Sequence, residues 1–226
     1  MRPSSLHFFP LTPVFLLALF ALAALVAFVQ IGILRYAYEK MGVARRHVFA
    51  VLLLTLLGSY VNIPVAELPP EEVVSNQVVS SFGIEYVIPR VQEWPRTIIA
   101  VNVGGALIPT LLSLYLLVKK RLYGPGLLAV AVVALVVHSM AYPVRGVGIS
   151  VPVFIPPLVA AATAMLLARR AAPSIAYIAG SLGTLIGADL MNLGRIQGLG
   201  APVASIGGAG TFDGVFLTGI IAVLLA

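Results

Sequence analysis

Residues 174–193 read SIAYIAGSLGTLIGADLMNL. One carboxylate, Asp189, and one amide, Asn192, interrupt a run of apolar and small residues. Its length is that of a bilayer-crossing helix, about 20 residues. A water-soluble helix of this length would carry a charged face recurring every third or fourth residue, and none is present. The stretch therefore reads as a membrane span, and the rest of the chain extends that reading. Of 226 residues, 60% are hydrophobic and 10% charged; the mean hydropathy is +1.06. A soluble domain of this size lacks the polar surface to cover so much apolar material, whereas a bilayer removes the need.

Further spans are expected at about Val14–Leu34, Val48–Val65, Thr97–Val118, Leu127–Tyr142, Val151–Ala168 and Thr211–Ala226. The first follows Pro10 and Pro13, is too long for a signal-peptide core and has no small-residue cleavage site after it, so it reads as a retained helix. The fold class expected is all-α: a polytopic transmembrane helix bundle of about seven helices, forming a single transmembrane domain over residues 1–226. The fourth and fifth spans are short, and six helices is the alternative count. Lys and Arg set the orientation. Arg35, Lys40, Arg45, Arg46, Lys119, Lys120, Arg121, Arg169 and Arg170 fall in one set of loops; Arg90, Arg96, Arg145, Arg195 and Arg2 fall on the other side. The richer side is expected to be cytoplasmic, with the N-terminus outside, the C-terminus inside, and the cell membrane as the location. Residues 67–96 then form an extracytoplasmic loop with five glutamates, in which Phe82–Ile88 has partial strand character.

Composition also excludes chemistries. With no cysteine there is no disulfide framework, thiolate metal site or cysteine nucleophile. No phosphate-binding Gly-rich loop, HExxH or GxSxG occurs. The net charge of +6 is read as a topology signal, because no basic stripe suited to nucleic acid exists. No metal and no cofactor is expected; the expected partners are the lipid bilayer and either a transmembrane peptide or a small solute as substrate.

Ionisable groups inside hydrocarbon usually face a bundle interior or a water-filled cavity. The six other carboxylates are assigned to loops, which leaves Asp189 and Asp213 near the outer ends of the last two helices. Asn62, Asn102, His138 and Asn192 are expected at similar depth, so all six polar residues form one candidate site. Gly187 and Gly210 support it by letting backbone approach closely. Two rival assignments stand beside this: Asp213 as a helix N-cap with Asp189 solvated at the surface, and His138 as a packing residue. The segments Gly58–Asn62 with Asn102–Gly105, and Gly187–Asn192 with Gly207–Gly210, also suggest a parallel internal repeat of the kind found in transporters.

The blocks Tyr60–Pro64, Val101–Gly105, Gly187–Leu190 and Gly207–Gly214 resemble those of an uncharacterised prokaryotic multi-pass membrane family, DUF1614. The resemblance spans most of the chain and implies no activity. A more distant resemblance, carried by Phe212-Asp213 and Gly187-Ala188-Asp189, is to intramembrane aspartyl proteases of the presenilin and signal-peptide-peptidase type. The order of the motifs is reversed here, Ala188 stands where that family has glycine, and the Pro-Ala-Leu element is absent. That resemblance implies Asp189 and Asp213 as catalytic residues: two close carboxylates share a proton, one activating water and the other protonating the scissile carbonyl. The rival expectation is a proton- or Na⁺-coupled solute transporter or ion pathway.

Overall fold

A computed structural model describes residues 13–69, 71–81, 84–94, 96–144, 148–196, 202–208 and 214–226. Among these residues there are seven helices: α1 (Pro13–Met41), α2 (Arg45–Gly58), α3 (Val103–Lys120), α4 (Tyr123–Met140), α5 (Ile155–Leu167), α6 (Arg169–Arg195) and α7 (Gly214–Leu225). Four are long and apolar enough to cross a membrane: α3, α4, α6 and the Phe20–Met41 part of α1. Helices α5 and α7 are shorter but apolar. The expected helix bundle is therefore present.

Successive helices run in alternate directions between two ends. At one end Lys120 donates to the Met41 carbonyl at 2.9 Å and to Ser174 at 2.7 Å, and Lys40 reaches the Leu224 carbonyl at 3.3 Å. Each lysine supplies a donor and a positive charge to the last carbonyls of a neighbouring helix, where the helix dipole favours a cation. Glu39, expected in a loop, lies in the last turn of α1 and is held by Arg35 at 2.9 Å and Arg45 at 3.0 Å.

The other end is built from strands. Segments β1 (Asn62–Leu68), β2 (Glu71–Ser81), β3 (Ile84–Trp94) and β4 (Thr97–Asn102) form an antiparallel ribbon, with β1 on β4 and β2 on β3. A short hairpin, β5 (Tyr142–Val144) and β6 (Gly148–Ser150), follows α4. Strand β7 (Val203–Ile206) pairs parallel with β4, giving the sheet order β1-β4-β7. This corrects the second and third expected spans. Asn62–Val65 and Thr97–Asn102 are strands rather than outer helical turns. Pro64 lacks the donor a helix interior needs, and Thr97-Ile98-Ile99-Ala100-Val101 is rich in β-branched residues. A short apolar run carries no periodicity that separates strand from helix. Helix α2 is correspondingly short; its 14 residues rise about 21 Å. Of the strand-like run Phe82–Ile88, Ile84–Ile88 lies in β3; Phe82 and Gly83 lie outside the described residues.

Helix α6 is the centre of the bundle: 72% of its most apolar window is buried, against 6% for α1, whose Phe20, Phe28 and Ile31 face outward as lipid-contacting residues would. Around α6 the contacts are made by small residues. Ala129, Val133, Ala160, Ala164, Ala176 and Ala222 pack in one cluster that joins α4, α5, α6 and α7. Small side chains let helix backbones approach in a medium where no hydrophobic difference drives them together. Among the glycines of α6, Gly187 is the most closely approached: a Cβ there would collide with the Ala134 carbonyl oxygen of α4. Gly187→Ala is expected to lower unfolding stability in detergent by about 1–3 kcal/mol through overpacking. Gly124→Ala, facing open space, is the control and should leave thermal unfolding unchanged.

Candidate functional site

The strand end of the bundle gathers backbone breaks and the amides that satisfy them. Asn102 is the last residue of β4 and the residue before α3, and it is fully buried. Its Oδ1 accepts the Gly105 N–H at 2.7 Å, capping a helix that opens with a π-helical turn, Val103–Leu107. Its Nδ2 donates to the Ser59 carbonyl at 2.8 Å and to Asn62 Oδ1 at 3.2 Å. One side chain thus joins the end of α2, β1 and the start of α3. Asn62 stands directly opposite Asn102 in the β1–β4 register. Its Oδ1 also lies 2.6 Å from the Ser205 hydroxyl of β7, which has the Gly208 carbonyl at the same distance as a second acceptor.

Asp189 enters this group through the backbone. It closes a second π-helical stretch of α6, Leu185–Asp189, and is half-buried. Its Oδ2 accepts the Gly207 N–H at 2.7 Å. Gly207 has a φ of +84°, a conformation natural to glycine. It follows Ile206 in β7 as Asn102 follows Val101 in β4, and Val101 pairs with Ile206. A Cβ on Gly105 would fall on the Gly207 carbonyl, so the two segments approach as closely as backbones can. The two halves of the suspected repeat therefore meet as adjacent parallel strands, and α3 follows β4 as α7 follows β7 with residues 207–213 between.

The structure brings together Asn62, Asn102 and Asp189 from the sequence-derived set. Asn192 is buried beside them in sequence but makes its hydrogen bonds within α6. Its Nδ2 donates to the Gly187 and Ala188 carbonyls at 2.9 and 3.0 Å, and its Oδ1 accepts from Arg195 at 3.2 Å. Those carbonyls lie where the helix passes from a π-helical to a 3₁₀ turn and the regular ladder is interrupted. Gly187 is a contact with α4, as described above. His138 is half-buried in the last turn of α4, and its Nδ1 has no hydrogen-bond partner among the described residues. Asp213 and Gly210 lie outside the described residues. Among the described residues no three His, Asp or Glu side chains gather as a metal site.

Several polar groups were passed over in the sequence. Ser205 and the Gly207 amide belong to the junction. Ser113, Ser174, Ser181, Thr184 and Thr218 are buried in the bundle, with Tyr38 and Tyr177. Their signal was the spacing of Ser174, Tyr177, Ser181 and Thr184, which is that of one helix face. Elsewhere, a groove of about 240 Å³ lies between α1 and α2, lined by Ala27, Gln30, Leu34, Leu52, Thr55 and Phe216; it is almost wholly apolar.

Asn102→Ala removes all three hydrogen bonds and leaves the Gly105 N–H and Ser59 carbonyl unpaired. It is expected to cost about 2–3 kcal/mol in detergent unfolding. Ser205→Ala, at a more exposed position, should cost less than about 1 kcal/mol.

A family model described as "Protein of unknown function (DUF1614)" matches residues 56–225, and the chain belongs to this family. No curated protein and no solved structure matches the chain.

Proposed function

We propose that this member of the DUF1614 family is a multi-pass protein of the cell membrane that passes a proton or small cation across it, with Asp189 as the ion-responsive group. The reading is carried by one observation: the Asp189 carboxylate, on the most buried helix, holds the backbone amide of Gly207 on the path into α7. An ionised carboxylate is a strong acceptor for that amide and a neutral one a weak acceptor. Protonation or cation binding at Asp189 then loosens the tie between α6 and β7, a two-state element of the sort that alternating access needs. The lysine- and arginine-rich end faces the cytoplasm in this reading, and the sheet with Asp189 faces outside.

A second reading, intramembrane proteolysis, is favoured by the outer edge of β7, which pairs with no further strand among the described residues. An extended substrate segment adding there would run toward Gly207 and Asp189. It requires Asp213 as the second carboxylate, sharing one proton with Asp189.

The discriminating measurement is ion flux into liposomes containing purified protein. Asp189→Asn keeps an acceptor oxygen for Gly207 but no longer titrates, and flux should fall at least tenfold. Unchanged flux removes the ion-pathway reading. Cleavage of a single-span substrate, lost in Asp213→Ala, would support the protease reading instead, and its absence from wild type would remove that one.

A further inference from the structure

The buried hydroxyls of α6 form a column with a beginning and an end. Ser174, Tyr177, Ser181 and Thr184 follow one another at three-, four- and three-residue steps, and each is at most 4% exposed. Because α6 is the central helix, this face looks into the bundle. At the basic end Ser174 bonds both Lys120 and the Met41 carbonyl. One turn further in, Tyr177 meets Tyr38 of α1, with ring centroids 6.4 Å apart. Tyr38 in turn lies beside Thr55 of α2. Tyr177 also lies within reach of Ser181, although the Ser181 hydroxyl makes no well-aligned hydrogen bond. Ser181 Oγ packs against Gly219 of α7. Thr184 comes next, between the two π-helical stretches Ala179–Gly183 and Leu185–Asp189, and Asp189 closes the second.

Two features of this column are costly for stability alone. The hydroxyls of Ser181 and Thr184, with Ser113 of α3, are buried without a partner among the described residues. A helical Ser or Thr ordinarily returns its proton to a carbonyl one turn back, as Thr55 does to Val51 at 2.8 Å. A buried unpaired hydroxyl is worse than a methyl group of the same shape. The π-helical turns likewise give up regular backbone bonds, and such turns occur often at functional sites.

We propose that the Ser174–Tyr177–Ser181–Thr184 face of α6 is a proton path linking the basic end of the bundle to Asp189. The proposal rests on the ion-pathway reading and names its ion. Ser181 and Thr184 do not bond each other directly, so in this path water held by their unpaired hydroxyls links them; each group accepts a proton from one neighbour as it releases its own to the next, no net charge accumulates and no co-reactant is needed. Thr184 and Asp189 are five residues apart along a π-helical stretch, and the proposed path crosses that interval through water held by the Thr184 hydroxyl. Side chains packed this closely leave no passage for a solute, but a proton needs only a succession of oxygens.

The test uses the full chain in liposomes, with a valinomycin-set potassium potential and an internal pH dye. Wild type should acidify the lumen when the potential draws cations in. The double variant S181A/T184V should reduce the initial rate at least tenfold while its thermal unfolding temperature stays unchanged or rises. Thr184→Ser, which restores a hydroxyl, should retain most of the rate and guards against a folding defect in the Val variant. Proton flux at the wild-type rate in the folded double variant overturns the path. Wild-type sodium flux without proton flux also overturns it and leaves the broader reading standing. No flux of any ion removes both.

Discussion

Inside a bilayer a backbone amide or carbonyl has no water to turn to, so every departure from regular helix must be satisfied from within the chain. The architecture of this protein follows from that constraint. The chain leaves helical geometry at the end of α2, at the start of α3, along the second half of α6 and before α7. At each described break a specific polar group takes up the freed backbone. Asn102 serves both the Ser59 carbonyl and the Gly105 amide, Asn192 serves the Gly187 and Ala188 carbonyls, and Asp189 serves the Gly207 amide. At the opposite end Lys120 and Lys40 serve the closing carbonyls of α1 and α7. The polar residues that stand out from an apolar chain are thus first of all the partners of its backbone. A functional role is something that some of them carry in addition.

Asp189 is where the additional role is most economical. An asparagine could accept from Gly207 equally well, as Asn102 does from Gly105, and would carry no charge into the bundle. A carboxylate at this position makes the tie between α6 and β7 depend on ionisation. The hydroxyls deeper along α6 point the same way, since Ser181 and Thr184 are buried without the hydrogen bonds that would justify them structurally. A carboxylate at one end of a column of hydroxyls, with Lys120 and Ser174 at the other, is the arrangement from which the proton path is proposed.

Much of this was legible in the sequence. The helices, their alternation, the concentration of Lys and Arg at one end and the singular position of Asp189 follow from hydropathy and charge, which are local properties. The strands were not legible in the same way. Asn62–Val65 and Thr97–Val101 continue apolar runs, and what makes them strands is pairing with each other and, for Thr97–Val101, with the distant β7. Polarity and depth place Asn192 in the site; its hydrogen bonds to Gly187 and Ala188 follow from a change of helical pitch that no single-residue property announces. Ser181 and Thr184 escaped notice because a lone hydroxyl in a membrane helix usually bonds its own backbone, and only the structure shows that these do not.

In the proposed topology the polar junction lies at the outer face of the membrane bundle and the basic end is cytoplasmic. The chain has no cysteine, so cysteines introduced one at a time report only on their own position. With a membrane-impermeant maleimide on intact cells, Glu67→Cys in β1 should be labelled, and Lys119→Cys at the end of α3 should be labelled only after permeabilisation. Labelling of Lys119→Cys in intact cells, with Glu67→Cys protected until permeabilisation, would contradict the account.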